Sequence, residues 1–385
     1  MPNVDTFRQI YNVLGVAVSQ SPATGFMFSL ATTAIPTSGV NQLTYIPRVQ
    51  SASTSLVVNR EDVNQYGQLN RLDTLITSAP DITLNIDYLL LDGYAENLLG
   101  FASSGQQSFV SGLIDGTQSE KNYFIGVAPE GVDLIKATTA AANVNVIGIG
   151  NGVVSNYSQT LAIGQVPRAS VTIQGTNMQT YVGSAAKQSP AIDPNTALQV
   201  VSPQFSLPVM SGYTGVAISS ALRPGDIVLN FPRTGSFGDY TSGVGQIHVQ
   251  SIGLSIPISL DNILQLGNPY PIAKRIRFPV NCTLTVDALA ADVAEDNVAS
   301  LFCSDDPVDL SYQLLNPSCT RNGTNGLKVW FNQAKLVNRD YNGSIGQNST
   351  VRLTYTNQLQ GISSSYLTQG VVVSGVYGNY NPYLP

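Results

Sequence analysis

The stretch Asp81–Phe101, DITLNIDYLLLDGYAENLLGF, has a relative two hundred residues further on, NCTLTVDALAADVAEDNVASL at Asn281–Leu301. Adding 200 to each position aligns the two without a gap and leaves six identities in 21 positions: Thr83/Thr283, Leu84/Leu284, Asp87/Asp287, Leu89/Leu289, Asp92/Asp292 and Asn97/Asn297. Four further pairs keep size or charge, namely Ile86/Val286, Glu96/Asp296, Leu98/Val298 and Phe101/Leu301. A gapless internal echo of this length marks a duplicated fold, so whatever one half becomes, the other becomes too. With 385 residues, each half is long enough to bury a core of its own.

The repeated stretch carries a strand pattern. Ile82, Leu84 and Ile86 alternate with Thr83, Asn85 and Asp87, and in the second copy Cys282, Leu284 and Val286 alternate with Thr283, Thr285 and Asp287. Period-two alternation places the two sets on opposite faces of a strand. Cys282 takes the core parity of Ile82, which points to an inert buried thiol. From Tyr94 to Phe101 the alternation gives way to a helical turn or two, so strand followed by short helix is the repeated unit. Upstream, Ser51–Asn59 alternates with one exception, Val57, and its counterpart sets Ile252, Leu254, Ile256 and Ile258 against Ser251, Gly253, Ser255 and Ser259. Pro257 lacks the N–H that a ladder needs, which predicts an edge strand or a bulge there. Asn59–Arg71 and Ser259–Pro271 are polar, match at Gln65/Gln265 and Gly67/Gly267, and are too long for tight turns. They predict projecting loops, with Asn59, Glu61, Asp62, Gln65 and Gly67 in one and Asp261, Gln265 and Gly267 in the other.

Elsewhere the chain is less regular. Residues 5–15 predict a short amphipathic helix, capped by Asp5, with Phe7, Ile10, Tyr11 and Leu14 on one stripe and Gly15 at its end. A helix is predicted around Val132–Ala142 and a strand at Asn143–Ile149. Ile163-Gly164-Gln165 matches Ile345-Gly346-Gln347 at an offset of 182, and Ala169–Asn177 matches Ser349–Asn357 at 180, with Val171/Val351, Thr176/Thr356 and Asn177/Asn357 identical. The second copy has therefore lost about twenty residues while keeping the order of its elements. Tyr181–Asn195 reads as a linker, which divides the chain into residues 1–190 and 191–385. The second half opens with strands expected at Val200–Val209, Gly215–Ser220 and Ile227–Phe231, and Gly370–Tyr377 is the last strand expected.

Charged residues make up only 11% of the chain, against about a quarter in ordinary globular proteins, which fits an extensive β protein with polar, weakly charged surfaces. The net charge of −6 and the scattered cations give no sign of a surface built to grip phosphates. The densest basic cluster, Lys274, Arg275 and Arg277, reads as a solvated strand face or a subunit contact, with contact to a nucleic-acid backbone as the alternative. Three cysteines without a CxxC pair signal neither zinc nor a disulfide framework. The amino terminus lacks a secretory apolar region and no run reaches the ~18 apolar residues of a membrane helix, so a cytoplasmically made protein without membrane insertion is expected. His248 is the only histidine, which removes triads and zinc clusters, and neither a nucleophile elbow nor a phosphate-binding loop is present. Gly148, Gly150 and Gly152 predict strand bulges rather than a dinucleotide loop. The acids kept in both copies, Glu61/Asp261, Asp87/Asp287, Asp92/Asp292 and Glu96/Asp296, read as fixed negative charge on a repeated surface. No catalytic, cofactor-binding or metal-binding residue is expected, and no enzyme activity.

A strand of Thr/Leu character that runs into an acid and then a D-x-x-x-E-N-L helix (Asp92–Leu98), after a strand, a long loop and a returning strand, resembles the major tail (tail tube) proteins of tailed bacteriophages. The resemblance implies a mainly β fold of two tandem tail-tube-like sandwich or barrel domains, each with a short helix, whose sheets join into a ring-shaped barrel on oligomerisation. It implies a trimer with pseudo-sixfold symmetry, stacked rings and a hollow tube in the virion, with tape-measure and tail-end proteins as partners and double-stranded DNA in transient passage. On that reading Thr83, Asn85, Asp87, Thr283, Thr285 and Asp287 line the lumen and the two projecting loops reach the next ring. Carboxylates on such a wall repel phosphates over a screening length of about 8–10 Å, although Arg275 and Arg277 interrupt a uniformly acidic face. A distal tail or tail-completion protein of the same fold, and a β-rich carbohydrate-active enzyme, are the alternatives.

Overall fold

The computed structural model describes residues 11–19, 43–114, 121–129, 145–181, 227–230, 248–264, 266–267, 271, 273–289, 307–315, 325–343, 348–359 and 370–375. In the first half these form β1 (Tyr11–Ser19), β2 (Leu43–Ile46), β3 (Val49–Val57), β4 (Arg60–Val63), β5 (Asp73–Ile76), β6 (Asp81–Leu89), helix α1 (Tyr94–Leu99), β7 (Ser104–Ser108), helix α2 (Ser111–Ile114), β8 (Lys121–Pro129), β9 (Asn145–Ala162), β10 (Arg168–Gly175) and β11 (Asn177–Tyr181). The second half gives β12 (Ile227–Asn230), β13 (Val249–Pro257), β14 (Leu260–Ile263), β15 (Ala273–Ile276), β16 (Asn281–Leu289), β17 (Val308–Leu315), β18 (Asn325–Asn342), β19 (Thr350–Gln358) and β20 (Gly370–Gly375). The chain is thus mainly β. The linker expected at Tyr181–Asn195, the helix at Val132–Ala142 and the strands at Val200–Val209 and Gly215–Ser220 fall outside the described residues, apart from Tyr181 itself.

One antiparallel inner ladder of eight strands runs β3-β6-β10-β9-β13-β16-β19-β18. It is the same four-strand unit twice over, β3-β6-β10-β9 and then β13-β16-β19-β18. The long strands β9 and β18, 18 residues each, leave it through their amino-terminal halves and enter outer ladders, β2-β1-β8-β9-β11 and β12-β17-β18-β20-β7. Both cross over at a non-glycine residue with positive φ, Asn151 (49°) and Gln333 (56°), a backbone region costly for most side chains. Both crossings are held alike: the Asn151 N–H donates to Asn122 Oδ1 at 3.1 Å and the Gln333 N–H to Asp309 Oδ1 at 2.7 Å. Four residues beyond, each strand bulges, at Ser155 where Thr172↔Asn156 is followed by Ile173↔Val154, and at Val337 where Thr354↔Asn338 is followed by Tyr355↔Leu336.

These landmarks fix the correspondence between copies. Asn151 to Gln333 and Ser155 to Val337 are both steps of 182. Arg168 faces Leu89 and Thr350 faces Leu289, so β10 also maps onto β19 by 182, not by 180. Val171 therefore corresponds to Leu353, and the identity of Val171 with Val351 is a coincidence of composition. A two-residue slip keeps every side chain on its own face, which is why alternation could not expose it.

The apolar faces meet inside. Ile82, Leu84, Ile86 and Tyr88 of β6, Cys282, Leu284, Val286 and Ala288 of β16, Val171 and Ile173 of β10, and Leu353 and Tyr355 of β19 are buried together with Ile125, Ile149, Val329 and Phe331 of the outer ladders. The layers touch closely at Gly175, where a Cβ would lie 2.4 Å from Ile149 Cγ2. Gly175→Val is expected to cost about 1–3 kcal/mol through overpacking, seen as a lower denaturation midpoint with unchanged far-ultraviolet dichroism.

Two expectations are corrected. Tyr11–Ser19 is a strand on β8 rather than part of a helix over 5–15, of which residues 5–10 lie outside the described residues. Val13, Val16, Val18 and Gly15 disfavour helix, and the edge of β8 offers them a ladder. β13 is an interior strand, and Pro257 is its last residue, opposite Asn156 and beside the β9 bulge, where a missing N–H costs little. The strand expected at Asn143–Ile149 is present from Asn145 as the start of β9, and the bulge expected at its glycines is present too, since the pairing with β8 jumps from Tyr123↔Ile149 to Lys121↔Gly152; residues 143 and 144 lie outside the described residues.

The inner ladder is staggered. Ser51 faces Asp87, Asp87 faces Ser170, Ser170 faces Ser158 and Ser158 faces Ser255. Ser255 corresponds to Ser55, so after one four-strand unit a row of cross-strand partners has advanced by four residues.

Candidate assembly edges and polar face

The six residues expected to share a polar face do so. Thr83, Asn85 and Asp87 on β6 and Thr283, Thr285 and Asp287 on β16 lie opposite the buried sets, on one side of the same continuous ladder. Their neighbours are short polar side chains: Ser170, Thr172 and Gln174 on β10, Thr354 and Thr356 on β19. The Ser51 hydroxyl donates to Asp87 Oδ2 at 2.6 Å and the Ser251 hydroxyl to Asp287 Oδ2 at 2.5 Å, the same bond in both copies. Thr172 Oγ1 donates to Asn85 Oδ1 at 2.9 Å.

The copies differ in charge. Arg352 grips Asp287 through Nε at 2.7 Å and Nη2 at 3.1 Å, a forked pair. That guanidinium, helped by the Ser251 hydroxyl against partial desolvation, holds the Asp287 carboxyl below its ordinary value. The residue that corresponds to Arg352 beside Asp87 is Ser170. Arg168 shares the face with Asp81 and Asp87, so the face is mixed in charge and mostly hydroxyl and amide. The interrupting cations are Arg168, Lys335 and Arg352, not Arg275 and Arg277: the latter belong to the β14–β15 segment, where Arg277 forks onto Asp261. Lys274 Nζ donates to the Gln174 carbonyl at 2.8 Å and fastens that hairpin to the first copy.

The projecting loops are two-stranded hairpins, β4 on β5 and β14 on β15, separate from the main sheet. Asn59 Nδ2 reaches Ser78 Oγ and Asp81 Oδ2 at the base, and Asp62 accepts from Arg71 Nη1 at 3.2 Å and Thr74 Oγ1 at 2.8 Å. Glu61 and Asp261 sit on the hairpin strands, and Gly67 and Gly267 share φ of 87° at the tips. Tyr66 and Leu69 on one tip and Leu266 on the other are fully exposed. Gln265 lies outside the described residues.

Not every repeated acid is surface charge. Asp92 pairs with Arg48 at 2.9 Å, and Asp292 and Asp296 lie outside the described residues. Glu96 is 1% exposed and accepts from the hydroxyls of Tyr88 at 2.9 Å and Tyr157 at 3.1 Å. The chain of bonds continues from Gln159 Nε2 to the Tyr157 oxygen and from the Tyr312 hydroxyl to Gln159 Oε1, which joins the first copy to the second. This buried network was invisible in the sequence, where only the apolar neighbours Ala95, Leu98 and Leu99 hinted that α1 faces inward. Burial pushes the Glu96 carboxyl up. A carboxyl raised in the folded state favours folding least once pH has climbed above its unfolded value, because the unfolded chain ionises first. Glu96→Gln keeps an acceptor for both tyrosines, so it is expected to flatten the loss of stability between about pH 4.5 and neutrality, as read in denaturant melts across that range.

Two edges of the inner ladder, the outer side of β3 and the outer side of the 335–342 half of β18, have no strand paired to them among the described residues. At the junction of the copies the corresponding edges are paired, β13 on β9. The exposures record the difference. Leu56 is 52% exposed and Val58 37%, whereas their counterparts Ile256 and Ile258 are 0% and 2%. On the other edge Tyr341 is 63% exposed and its counterpart Gln159 is 1%.

Among the described residues no group of His, Cys, Asp and Glu is arranged to hold a metal ion, and no helix is long and apolar enough to cross a membrane. Burial pushes the Cys282 thiol far up, which leaves it unreactive. Comparison of the sequence with models of known protein families and with curated proteins finds no match.

Proposed function

We propose that the chain is the structural subunit of a phage tail tube. Its two repeats are tandem tail-tube-like domains, three chains close head to tail into a ring with pseudo-sixfold symmetry, and stacked rings enclose a channel through which double-stranded DNA leaves the virion. Tape-measure and tail-end proteins are its remaining partners, and it does no chemistry. The observation that carries this reading is the pair of edges with no partner strand among the described residues: Leu56 and Val58 on one and Tyr341 on the other are exposed, whereas their counterparts Ile256, Ile258 and Gln159 are buried at the junction inside the chain. A head-to-tail contact that repeats an internal junction is heterologous, and such contacts close into rings or run on as filaments. The polar face suits a channel wall, since its charges of both signs are diluted among hydroxyl and amide groups that offer a polyanion no continuous grip.

Negative-stain microscopy of the purified chain tests the proposal. Hollow tubes of stacked rings are expected at high protein concentration. A single ring that never stacks fits a distal tail or tail-completion protein instead, and dispersed monomers at every concentration would sink both.

A further inference from the structure

Resting on that reading, we infer the register and the side-chain chemistry of the seam between chains: residues 338–342 of one copy add to the outer edge of β3 of the next, with Asn342 opposite Ser53. The internal junction supplies the template. There Thr160 faces Gly253, Gln159 faces Leu254, Ser158 faces Ser255, Tyr157 faces Ile256 and Asn156 faces Pro257. Moving the first partner by 182 and the second back by 200 converts these pairs into Asn342–Ser53, Tyr341–Thr54, Asp340–Ser55, Arg339–Leu56 and Asn338–Val57. The N–H of Ile258, which donates to the Ser155 carbonyl at 2.8 Å beside the bulge, becomes Val58 donating to Val337.

The substitutions at the seam compensate one another. Where the internal junction sets the medium Gln159 against the large Leu254, the open edges set the large Tyr341 against the smaller Thr54. Tyr157 against Ile256 becomes Arg339 against Leu56, and the Arg339 guanidinium already stacks on the Tyr341 ring at 4.8 Å, so an amphipathic pair is laid out to cover Leu56. Val337, 64% exposed on its bulge, falls next to Val58. Neither edge matches itself: β3 carries the small serines and apolar Leu56, and the β18 edge the long side chains. The partner that fits each is therefore the opposite edge of a second copy of this chain.

Cysteine pairs read the register directly. Directly opposed residues in an antiparallel pair have Cα atoms about 4.5–5.5 Å apart, within disulfide reach, whereas a partner two residues away lies beyond it at about 7–8 Å. Ser53 and Asn342 are both exposed, so Ser53→Cys with Asn342→Cys leaves the fold intact. On oxidation of assembled protein the double variant is expected to give covalent dimers and trimers on a non-reducing gel, with the ladder stopping at the closed ring. Each single variant, and the slipped pair Ser51→Cys with Asn342→Cys, is expected to stay monomeric. Ser55→Cys with Asp340→Cys is an independent second pair at the same register. Tubes that form with neither pair joined, or that join through the slipped pair, overturn the register and leave the tube standing. Joined chains that never form rings overturn the tube while supporting the seam, and absence of both joining and tubes overturns both.

Discussion

Leu56→Lys is expected to leave a folded, soluble monomer that no longer forms rings at any concentration the wild-type chain needs. Leu56 is half exposed in the isolated chain, at 52%, and surface substitutions of this kind usually change stability within about 0.5 kcal/mol. Its counterpart Ile256 is fully buried at the internal junction, so ring closure would bury an ammonium directly opposite the Arg339 guanidinium of the next chain. An uncompensated buried charge costs about 3–5 kcal/mol, and each 1.4 kcal/mol is a factor of ten, so the concentration for half assembly should rise by about a hundredfold or more. Sedimentation velocity measures that concentration, and Leu56→Ile should behave as wild type. Ile256→Lys is the contrasting variant: the same change on an internal strand is expected to unfold the chain. If Leu56→Lys assembled normally, the β3 edge would not be the contact.

Deletion of Asp62–Gln68 should separate ring formation from stacking. The hairpin of β4 and β5 stands clear of the main sheet, and its tip residues Tyr66 and Leu69 have no cover. Its removal takes away the tip and the Asp62 acceptor for Arg71 and Thr74, but no residue of the inner ladder. Single rings or soluble protomers are expected by electron microscopy, with tube length collapsing to one or two rings. The Gly67 and Gly267 tips share one backbone conformation, so changing both Tyr66 and Leu266 to aspartate should give the same collapse without shortening the chain. Persistence of long tubes after deletion would show that the hairpins do not join rings.

Much of the fold was legible because alternation is a strong local signal wherever one face is buried. The strand Asp81–Leu89, the helix Tyr94–Leu99 and the parity of Cys282 could be read directly. The amino-terminal segment misled because Phe7, Ile10, Tyr11 and Leu14 fit a helical stripe, while the edge of β8 that claims Tyr11–Ser19 is more than a hundred residues away. The slip from 182 to 180 in aligning β10 with β19 was silent to alternation, and only the ladder partners Leu89 and Leu289 resolve it. Glu96 looked like surface charge because the network that receives it, Tyr88 with Tyr157, Gln159 and Tyr312 beyond, comes from three strands, β6, β9 and β17, of which the last two are distant in sequence. Arg352 could have been found: it sits at polar-face parity in STVRLTYTN, and correct register puts it opposite Asp287. The open edges carry no local signature at all, since Leu56 and Ile256 obey the same pattern and only the presence of a neighbouring strand tells them apart.

The four-residue advance of the inner ladder over each four-strand unit has a geometric consequence for any closed form of this sheet. One residue of shear per strand, with a rise of about 3.3 Å against a spacing of about 4.8 Å, tilts the strands roughly 35° from the barrel axis. That ratio does not depend on how many repeats close the ring, so the tilt is written into a single chain. With three chains, each bringing eight inner strands, a barrel at this tilt is about 45 Å across between backbones. After inward side chains are allowed for, the bore still admits a DNA duplex with room for water on all sides. In such a ring the rows of cross-strand partners would climb around the bore at about that same angle, while rotational symmetry would bring Asp87 and Asp287 of all repeats to one height, where Arg352 neutralises every second carboxylate.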